Sequence, residues 1–231
     1  MKASFYFIFF LLIWSCSNRE PTTFPVVKFA GALKNVTQLE DTTNHIFLVR
    51  HYEPNVERSG FFSAEEASQF ISGYDEAGIK RAVAALPTGL PEKPGKVYCS
   101  ALNRAKQTAR LLFGEELPLV EDANFNEFQR RIFHLPLLRF PIEVWLAGAR
   151  LLWLMGLNSR GIENFKQARA RAFKCAETLE NYARTETNVV LVAHGFLNAF
   201  IRQGLRRRGW QIVRHDGNDY LGVTELVKAA R

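Results

Sequence analysis

The sequence has 231 residues, enough to bury the core of one large domain, and its 47% hydrophobic and 23% charged residues are ordinary for a globular protein. The formal net charge is +7, which favours an anionic partner such as nucleic acid, an anionic membrane surface or an anionic small substrate. Neither zinc-finger spacing nor a repeat of aromatic and basic residues is present, which argues against nucleic acid.

The first sixteen residues, 1–16, are typical of an export signal. Lys2 precedes an apolar run at residues 5–14 that is too short to span a bilayer. The run ends in the sequence Ile-Trp-Ser-Cys, which resembles the lipobox of a bacterial lipoprotein signal. That resemblance implies cleavage before Cys16, lipidation of Cys16 and a membrane-anchored protein of the cell envelope, facing the periplasm or the exterior. An ordinary secretory signal with an incidental cysteine is the alternative.

After a tether at residues 17–44, the remaining residues, 45–231, are predicted to form one domain in which strands and helices alternate. Short apolar runs predict strands at 45–50, 96–100, 117–122, 188–196 and 219–228. Periodicity and capping signals predict helices at 63–86, 103–114, 162–184 and 197–209. This alternation predicts a layered α/β fold with a largely parallel sheet.

Residues 132–157 are dense in apolar and aromatic residues but are broken by Pro136 and Pro141. Glu143 and Arg150 make the segment too polar to span a membrane. We expect a helical hairpin that packs on the core. A lid over a site, or an apolar face that lies against a membrane, stays open as an alternative.

Cys99 ends a predicted strand and Cys175 lies inside a predicted helix. The cysteines do not have the spacing of a metal site. We therefore expect two buried, unpaired thiols.

Cationic and imidazole side chains follow the predicted strands where the strands end. Arg50 and His51 follow the first strand, Arg104 lies in the first turn of the helix after the second, and His194 and Gly195 follow the fourth. Parallel sheets bind ligands at this edge, and arginine side chains and helix N-termini bind phosphate oxygens. A neutral imidazole can attack phosphorus. The pattern predicts a phosphoryl site without a metal, because the arginines would repel a cation and no helix carries paired ligands.

Four segments, in this order along the chain, resemble the motifs of the histidine phosphatase superfamily, also called phosphoglycerate mutase-like. They are LVRHYEP at 48–54, YDEAGIKRAVAAL at 74–86, VYCSALNRAKQTA at 97–109 and VVLVAHGF at 189–196. The resemblance covers about residues 45–227. It implies a three-layer α/β/α fold with a largely parallel central sheet and a helical cap insertion at about residues 132–160.

The resemblance also implies a role for each residue of the site. His51 would be the nucleophile and would form a phosphohistidine. Arg50, Arg104, His194 and Gly195 would bind the phosphoryl group and the charge that grows on it.

The family places its acid where NFNEFQ lies, at residues 124–129. Glu127 would be the general acid for the leaving oxygen and then the base for the attacking water. Glu121 and Asp122 remain alternatives for this role.

The implied function is an exported, metal-independent and cofactor-free phosphatase that hydrolyses a small phosphomonoester. The alternatives are an inactive phosphate-binding module on the same fold and mutase-type phosphoryl transfer. Tyr52 and Glu57 replace a glycine and an asparagine that are common in the family, which argues against a true phosphoglycerate mutase.

Overall fold

The computed structural model describes residues 43–80 and 87–229, and the predicted signal and nearly all of the tether lie outside them. Within these residues six strands form one sheet, accompanied by five α-helices and a short 3₁₀ helix at Ala123–Phe125. The strands are β1 (Thr43–Arg50), β2 (Val97–Ser100), β3 (Leu119–Asp122), β4 (Asn188–Ala193), β5 (Gln211–His215) and β6 (Val223–Ala229). The helices are α1 (Ala64–Glu76), α2 (Asn103–Phe113), α3 (Ile142–Leu154), α4 (Phe165–Tyr182) and α5 (Gly195–Arg207).

The sheet has the strand order β3-β2-β4-β1-β6-β5. β4 pairs in parallel with both β1 and β2, and β2 pairs in parallel with β3. β6 is antiparallel to both β1 and β5. The predicted α/β fold with a largely parallel central sheet is confirmed, with the antiparallel pairings confined to one side of β1.

Helices cover both faces of the sheet. Ile46 and Leu48 of β1 belong to a core cluster with α4 and α5, whereas Phe47 and Val49 belong to a cluster with α2. Successive side chains of a strand point to opposite faces, so a strand that is apolar at every position is covered on both sides. The result is the expected three-layer arrangement.

A separate apolar cluster joins α1 to α3. Trp145 of α3 is fully buried and donates its Nε1–H to the carbonyl of Phe62, 2.7 Å away. Phe62 and Phe140 exchange two backbone hydrogen bonds of 2.8 and 3.0 Å. A capping box begins α1: Ser63 Oγ accepts from Glu66 N, and the Glu66 carboxylate accepts from Ser63 N. These contacts join α1, α3 and the paired residues Phe62 and Phe140 into one unit. This unit is called the cap below, and it includes α1 in addition to part of the segment at 132–160.

The helical hairpin expected over residues 132–157 is wrong. The chain has no regular helix up to Pro141, and a single helix, α3, follows. Proline is compatible with the start of a helix but cannot continue one, which explains why α3 begins directly after Pro141. The outer side of α3 is apolar as well, with Val144 and Leu151 at least two-fifths exposed. None of the described helices is both long and apolar enough to cross a bilayer.

The helix expected over residues 63–86 ends at Glu76. The chain turns extended at once and pairs with the segment after β1, where Asn55 N donates to the carbonyl of Gly78 at 2.9 Å. This tertiary pairing overrides the helical periodicity that continues in the sequence. The rest of the predicted helix, residues 81–86, lies outside the described residues.

Strand β5 was not predicted. Its sequence, QIVRH, has neither the longer apolar run nor the alternation of apolar and polar residues that indicates a strand. In the structure four of its five side chains are exposed. The predicted strand at 219–228 begins only at Val223, and the predicted helix at 197–209 begins already at Gly195.

Cys99 and Cys175 are buried and free, as expected. Burial raises the pKa of the Cys99 thiol to about 11 and that of Cys175 to about 12. Both thiols are therefore inert packing residues at neutral pH.

Candidate active site

One cavity of about 720 Å³ brings the predicted site residues together. Its lining includes Arg50 and His51 after β1, Arg104 at the start of α2, and His194 and Gly195 after β4, as well as Glu127. These positions meet because β1, β2 and β4 are parallel neighbours, which places their carboxyl ends at one edge of the sheet.

The His51 imidazole is held as a neutral ring with one defined tautomer. The side chain is 3% exposed, and its Nδ1 lies 2.6 Å from the carbonyl oxygen of Tyr52. A carbonyl only accepts hydrogen bonds, so Nδ1 carries the proton and Nε2 keeps its lone pair. Burial, with repulsion from Arg104 and Arg50, lowers the pKa of His51 to about 3. At neutral pH His51 is therefore an uncharged imidazole with a free nitrogen, which is the form that acts as a nucleophile.

His194 lies against His51, with ring centroids 5.0 Å apart. Its Nε2 is 2.8 Å from Ser100 Oγ, and that hydroxyl donates to Asn126 Oδ1 at 2.8 Å. Asn126 Oδ1 also accepts from Ala101 N, which identifies it as the amide oxygen. Since Ser100 uses its one proton on Asn126, His194 must donate its own Nε2–H. The other ring nitrogen, Nδ1, is buried and has no partner among the described residues.

Burial and then the positive charge of neighbouring groups, including Arg104 and Arg50, hold the pKa of His194 well below its usual value. Without an anion, the Nδ1 atom of this neutral ring presents a lone pair. A bound phosphate would favour a proton on Nδ1, because opposite charge stabilises the imidazolium form. His194 can therefore change from an acceptor to a donor when an anion enters.

Ser100 and Asn126 received no role from the sequence. Ser100 is completely buried at the end of β2, and Asn126 stands directly before Glu127. A polar residue that ends an otherwise apolar strand next to a candidate site was the available signal for Ser100. The sequence carries no local signal for Asn126, since its partners come from another strand.

Arg104 is a buried guanidinium, with its side chain 1% exposed. It donates to the backbone carbonyl of Tyr74 at 2.7 Å and forms an ion pair with Asp75 at 3.2 Å. Its carbon centre stacks over the Tyr74 ring, 4.6 Å from the centroid. These contacts come from α1, so the cap holds the arginine of the sheet edge in place.

Arg50 stacks on Tyr220, with 4.2 Å between the guanidinium carbon and the ring centroid, and donates to the carbonyl of Asn218. Gly195 leaves room for this side chain. A Cβ atom at position 195 would lie 3.2 Å from Cδ and 3.3 Å from Nε of Arg50. Tyr220 also approaches His51, with 5.7 Å between ring centroids. Neither Asn218 nor Tyr220 was predicted to belong to the site, because both loop residues reach it only through the pairing of β6 with β1.

Three buried nitrogen atoms of the site have no hydrogen-bond partner within the described residues: Arg50 Nε, Arg104 Nε and His194 Nδ1. Buried polar atoms are nearly always paired, and leaving one unpaired costs roughly 1–3 kcal/mol. Two of them are permanent donors and the third becomes a donor on protonation. The three side chains that bear these nitrogens line the cavity, and an oxyanion offers acceptor oxygens to donors of this kind.

Glu127 is held at the N-terminus of α5. Its carboxylate accepts from Leu197 N at 3.1 Å, Phe196 N at 3.3 Å and Phe128 N at 2.9 Å. A helix N-terminus offers free N–H groups and a positive dipole end to an anion. These bonds fix the position of the carboxylate at the wall of the cavity.

The two alternative carboxylates lie elsewhere. Glu121 forms an ion pair with Lys106 at 3.3 Å, and Asp122 caps the 3₁₀ helix through Asn124 N at 2.8 Å. Of the three candidates for the acid, Glu127 lines the cavity and the other two do not. Across residues 43–80 and 87–229, no group of three or more His, Cys, Asp or Glu side chains is arranged to hold a metal ion.

Solved structures with a similar fold include three from bacteria. A phosphoglycerate mutase from Bacillus anthracis str. Sterne is 16% identical, with a TM-score of 0.49, and the match covers 81% of this chain and 89% of that one. A mycobacterial glucosyl-3-phosphoglycerate phosphatase is 19% identical, with a TM-score of 0.46, and the match covers 80% of this chain and 90% of that one. An alpha-ribazole phosphatase from Shigella flexneri is 19% identical, with a TM-score of 0.45, and the match covers 78% of this chain and 89% of that one.

No curated protein is similar enough to this chain to count as a relative. The family model for the histidine phosphatase superfamily (branch 1) matches residues 46–229. The matched residues include β1 from Ile46 onwards and the whole of β2 to β6. They also include every residue that lines the cavity. The chain belongs to the histidine phosphatase superfamily.

Proposed function

We propose that this chain is a metal-independent phosphatase that hydrolyses a small phosphomonoester through a phosphohistidine on His51. The observation that carries the proposal is that three side chains with an unpaired buried nitrogen, those of Arg50, Arg104 and His194, line the same cavity as His51, whose Nε2 is free. A phosphoryl group offers acceptor oxygens for the three nitrogens and an electrophilic phosphorus for the fourth.

In the first step His51 Nε2 attacks phosphorus, the N–P bond forms and the bond from phosphorus to the ester oxygen breaks. Glu127 gives its proton to the departing oxygen, so the alcohol leaves uncharged. The arginines and His194 bind the non-bridging oxygens as negative charge grows on them. The attacking ring becomes cationic, and its Nδ1–H bond to the Tyr52 carbonyl becomes stronger as the donor gains charge.

In the second step the Glu127 carboxylate takes a proton from water, and the water oxygen attacks phosphorus. The N–P bond breaks, orthophosphate forms and His51 returns to the neutral ring. The sum of both steps is ester plus water to alcohol plus orthophosphate.

The test measures hydrolysis of p-nitrophenyl phosphate by the full chain in detergent, with and without a chelator. We expect turnover that survives the chelator and falls by at least about a thousandfold in His51→Ala. An alkaline quench should trap a phosphoryl-enzyme that is stable in base and labile in acid. His134→Ala, at an exposed histidine of the segment before α3, is the matched control and should retain activity.

Absence of turnover, combined with a melting temperature that rises with phosphate, would instead identify an inactive anion-binding module. Loss of activity on chelation would contradict the metal-independent mechanism.

We also propose that the protein is exported and anchored to a membrane through lipid on Cys16. The short apolar run after Lys2 and the lipobox-like sequence support this, although both lie outside the described residues. Metabolic labelling with a palmitate analogue should mark the wild type and not Cys16→Ser. An unlabelled wild type, or one found wholly in the cytoplasmic fraction, would overturn the proposal.

A further inference from the structure

The outer side of the cap is an exposed apolar surface. Eight of the eleven large apolar side chains that are exposed among the described residues lie between Leu135 and Leu157. The exposed apolar side chains of α3 recur at intervals of three and four residues and therefore share one face of the helix: Val144, Ala147, Leu151 and Leu154. Concentrated apolar exposure of this kind marks contact with another protein or with a membrane.

The exposed segment at residues 135–138, Leu-Pro-Leu-Leu, adds to this surface. The chain before α3 runs back along that helix, because Asn158, beyond the end of α3, donates to the carbonyl of Arg131 at 2.5 Å. Phe133 then packs on Trp145 of α3, with 5.2 Å between ring centroids. The exposed side of α3, residues 135–138 and Leu157 are called the outer apolar face below.

Leu137 stands in a turn of this segment with its side chain completely exposed. Its φ of 66° lies in the left-handed region, which leucine rarely adopts. Both the exposure of an apolar side chain to water and this backbone conformation are unfavourable. The fold thus presents a leucine outwards where only an external apolar phase can cover it.

Arginines border the outer apolar face. Arg131 Nη1 donates to the carbonyl of Arg160 at 2.9 Å, both residues are exposed, and neither pairs with a carboxylate among the described residues. Arg139 directly follows the exposed segment and is paired with a carboxylate of α1. Cationic side chains around an apolar face suit an anionic lipid surface. A symmetric contact with a second copy would instead bring the arginines of both copies to one interface.

The lipid anchor proposed above brings a bilayer within reach of this face. Residues 17–42 connect Cys16 to Thr43, the first residue of β1, and a chain of this length spans less than about 100 Å. A domain of this size is roughly 40 Å across. The connection is therefore long enough to pass from the start of β1 to the cap at the other end of the sheet.

We infer that the outer apolar face docks on the surface of an anionic bilayer, with Leu137 and the exposed side of α3 among the lipid chains and with Arg131 and Arg160 at the headgroups. The inference goes beyond the phosphatase activity and rests on the proposed anchor only for the nearness of a membrane. Leu146, on the inner side of α3, lines the cavity. Docking therefore places the active site beside the membrane surface.

The test attaches an environment-sensitive fluorophore to one introduced cysteine of the full chain, reconstituted into vesicles. The vesicles contain equal parts of phosphatidylglycerol and of phosphatidylcholine that is brominated near the top of its acyl chains. Every variant carries Cys16→Ser, so labelling does not compete with lipidation, and the thiols of Cys99 and Cys175 are buried. The apolar run at residues 5–14 retains the chain in the vesicle in all variants.

We expect bromine to quench a probe at Leu157→Cys and not a probe at Val213→Cys. Val213 is the matched control position, because it is also apolar and exposed but lies on β5, the edge strand of the sheet. Replacing phosphatidylglycerol by unbrominated phosphatidylcholine should reduce the quenching at Leu157→Cys, since the arginines then lose their anionic partners.

Two substitutions, measured with the Leu157→Cys probe at a salt concentration where docking is partial, test the contributions. Leu137→Asn should lower the ratio of docked to undocked protein about tenfold or more, because a leucine no longer enters the lipid. Asparagine accepts left-handed backbone, so the turn is retained. Arg160→Gln should lower the ratio about fivefold, whereas Arg184→Gln, at an exposed arginine before β4 and at the opposite edge of the sheet, should leave it unchanged.

Equal quenching at both probe positions, or quenching at neither, overturns the inference, and this readout needs no variant of the face beyond the probe itself. A Leu157→Cys probe that is shielded from iodide in solution but not quenched by bromine also overturns it, because a protein segment would then cover the face. Phosphatase activity without docking overturns the inference and leaves the proposed function standing. Docking in a protein whose wild type takes up no palmitate analogue supports the inference while the lipid anchor fails.

Discussion

The buried neutral His51 should make the fold less stable in acid, and His51→Asn should remove part of this loss. Burial, reinforced by Arg104 and Arg50, lowers the pKa of His51 in the folded protein to about 3. In the unfolded chain the pKa returns to about 6.5. Below pH 6.5 the unfolded state therefore binds a proton that the folded state does not bind. Unfolding is favoured as the pH falls from 6.5 towards 3, and the stability is fully present above pH 6.5.

The size of the effect follows from the two pKa values. A histidine that titrates only in the unfolded state costs about 1.4 kcal/mol per pH unit below its unfolded pKa. Between pH 7 and pH 5 this amounts to about 2 kcal/mol for one such residue. Asparagine keeps a donor for the Tyr52 carbonyl but does not titrate. We therefore expect the free energy of unfolding of wild type to fall by about 2 kcal/mol more than that of His51→Asn over this interval.

Urea denaturation at pH 7 and pH 5 measures the difference, in buffers without phosphate or sulfate because a bound anion would stabilise the folded state. His134→Asn removes an exposed histidine and should behave like wild type. Comparing each protein with itself at two pH values cancels the carboxylates, which all variants share. Equal losses of stability in His51→Asn and wild type would refute a neutral His51, since the ring would then be protonated in the folded state.

Three further substitutions test the geometry of the site. Glu127→Gln should lower kcat/KM about 10²–10⁴-fold for alkyl phosphates and much less for p-nitrophenyl phosphate, whose leaving group needs no proton; equal losses would count against an acid at this position. Ser100→Ala removes the acceptor of the His194 Nε2–H and should destabilise the fold by about 1–3 kcal/mol in urea, together with a loss of phosphate affinity; unchanged stability would contradict the hydrogen-bond relay. Gly195→Ala should displace the Arg50 side chain and weaken orthophosphate binding by about tenfold, as measured by calorimetry, with a melting temperature close to that of wild type; unaltered binding would show that the guanidinium can move without consequence.

The centre of the sheet was predictable because its signals are local. β1 is apolar at four consecutive positions, Ile46 to Val49, and β4 is apolar at every position after Asn188, and only a strand covered on both faces needs such runs. Once the strands are parallel neighbours, the residues that follow them must share one edge. For this reason Arg50, His51 and His194 could be placed together from the sequence although they are far apart along the chain.

The cap was less predictable because its structure depends on contacts between distant segments. The periodicity of residues 63–86 favours one helix, but pairing of Gly78 with Asn55 ends it early. For β5 the prediction failed in the opposite direction, because a strand was present where none was predicted. Hydrogen bonds to β6 form this strand, although its exposed side chains give no signal in the sequence. In both cases backbone pairing decided the structure and side-chain pattern did not.

The same distinction applies to the site. Residues that could bear chemistry at strand ends were found, whereas the groups that position them were not. Asn126 acts on His194 through Ser100, and Tyr220 acts on Arg50 by stacking. Such roles depend on a partner from another element, and a single sequence does not identify that partner.

The charge of the site follows from keeping both histidines neutral. Before an anion binds, His51 and His194 are uncharged, and the positive charge of the phosphoryl site is that of Arg50 and Arg104, with Asp75 offsetting part of the latter. Two protonated imidazoles would add two more positive charges and would hold the orthophosphate product as firmly as the transition state. Catalysis needs interactions that strengthen only as the reaction proceeds, so uniform binding of this kind would not raise turnover. Burial therefore leaves His51 nucleophilic, lets positive charge develop on the His51 ring only when the N–P bond forms, and lets His194 gain a proton only when an anion is bound.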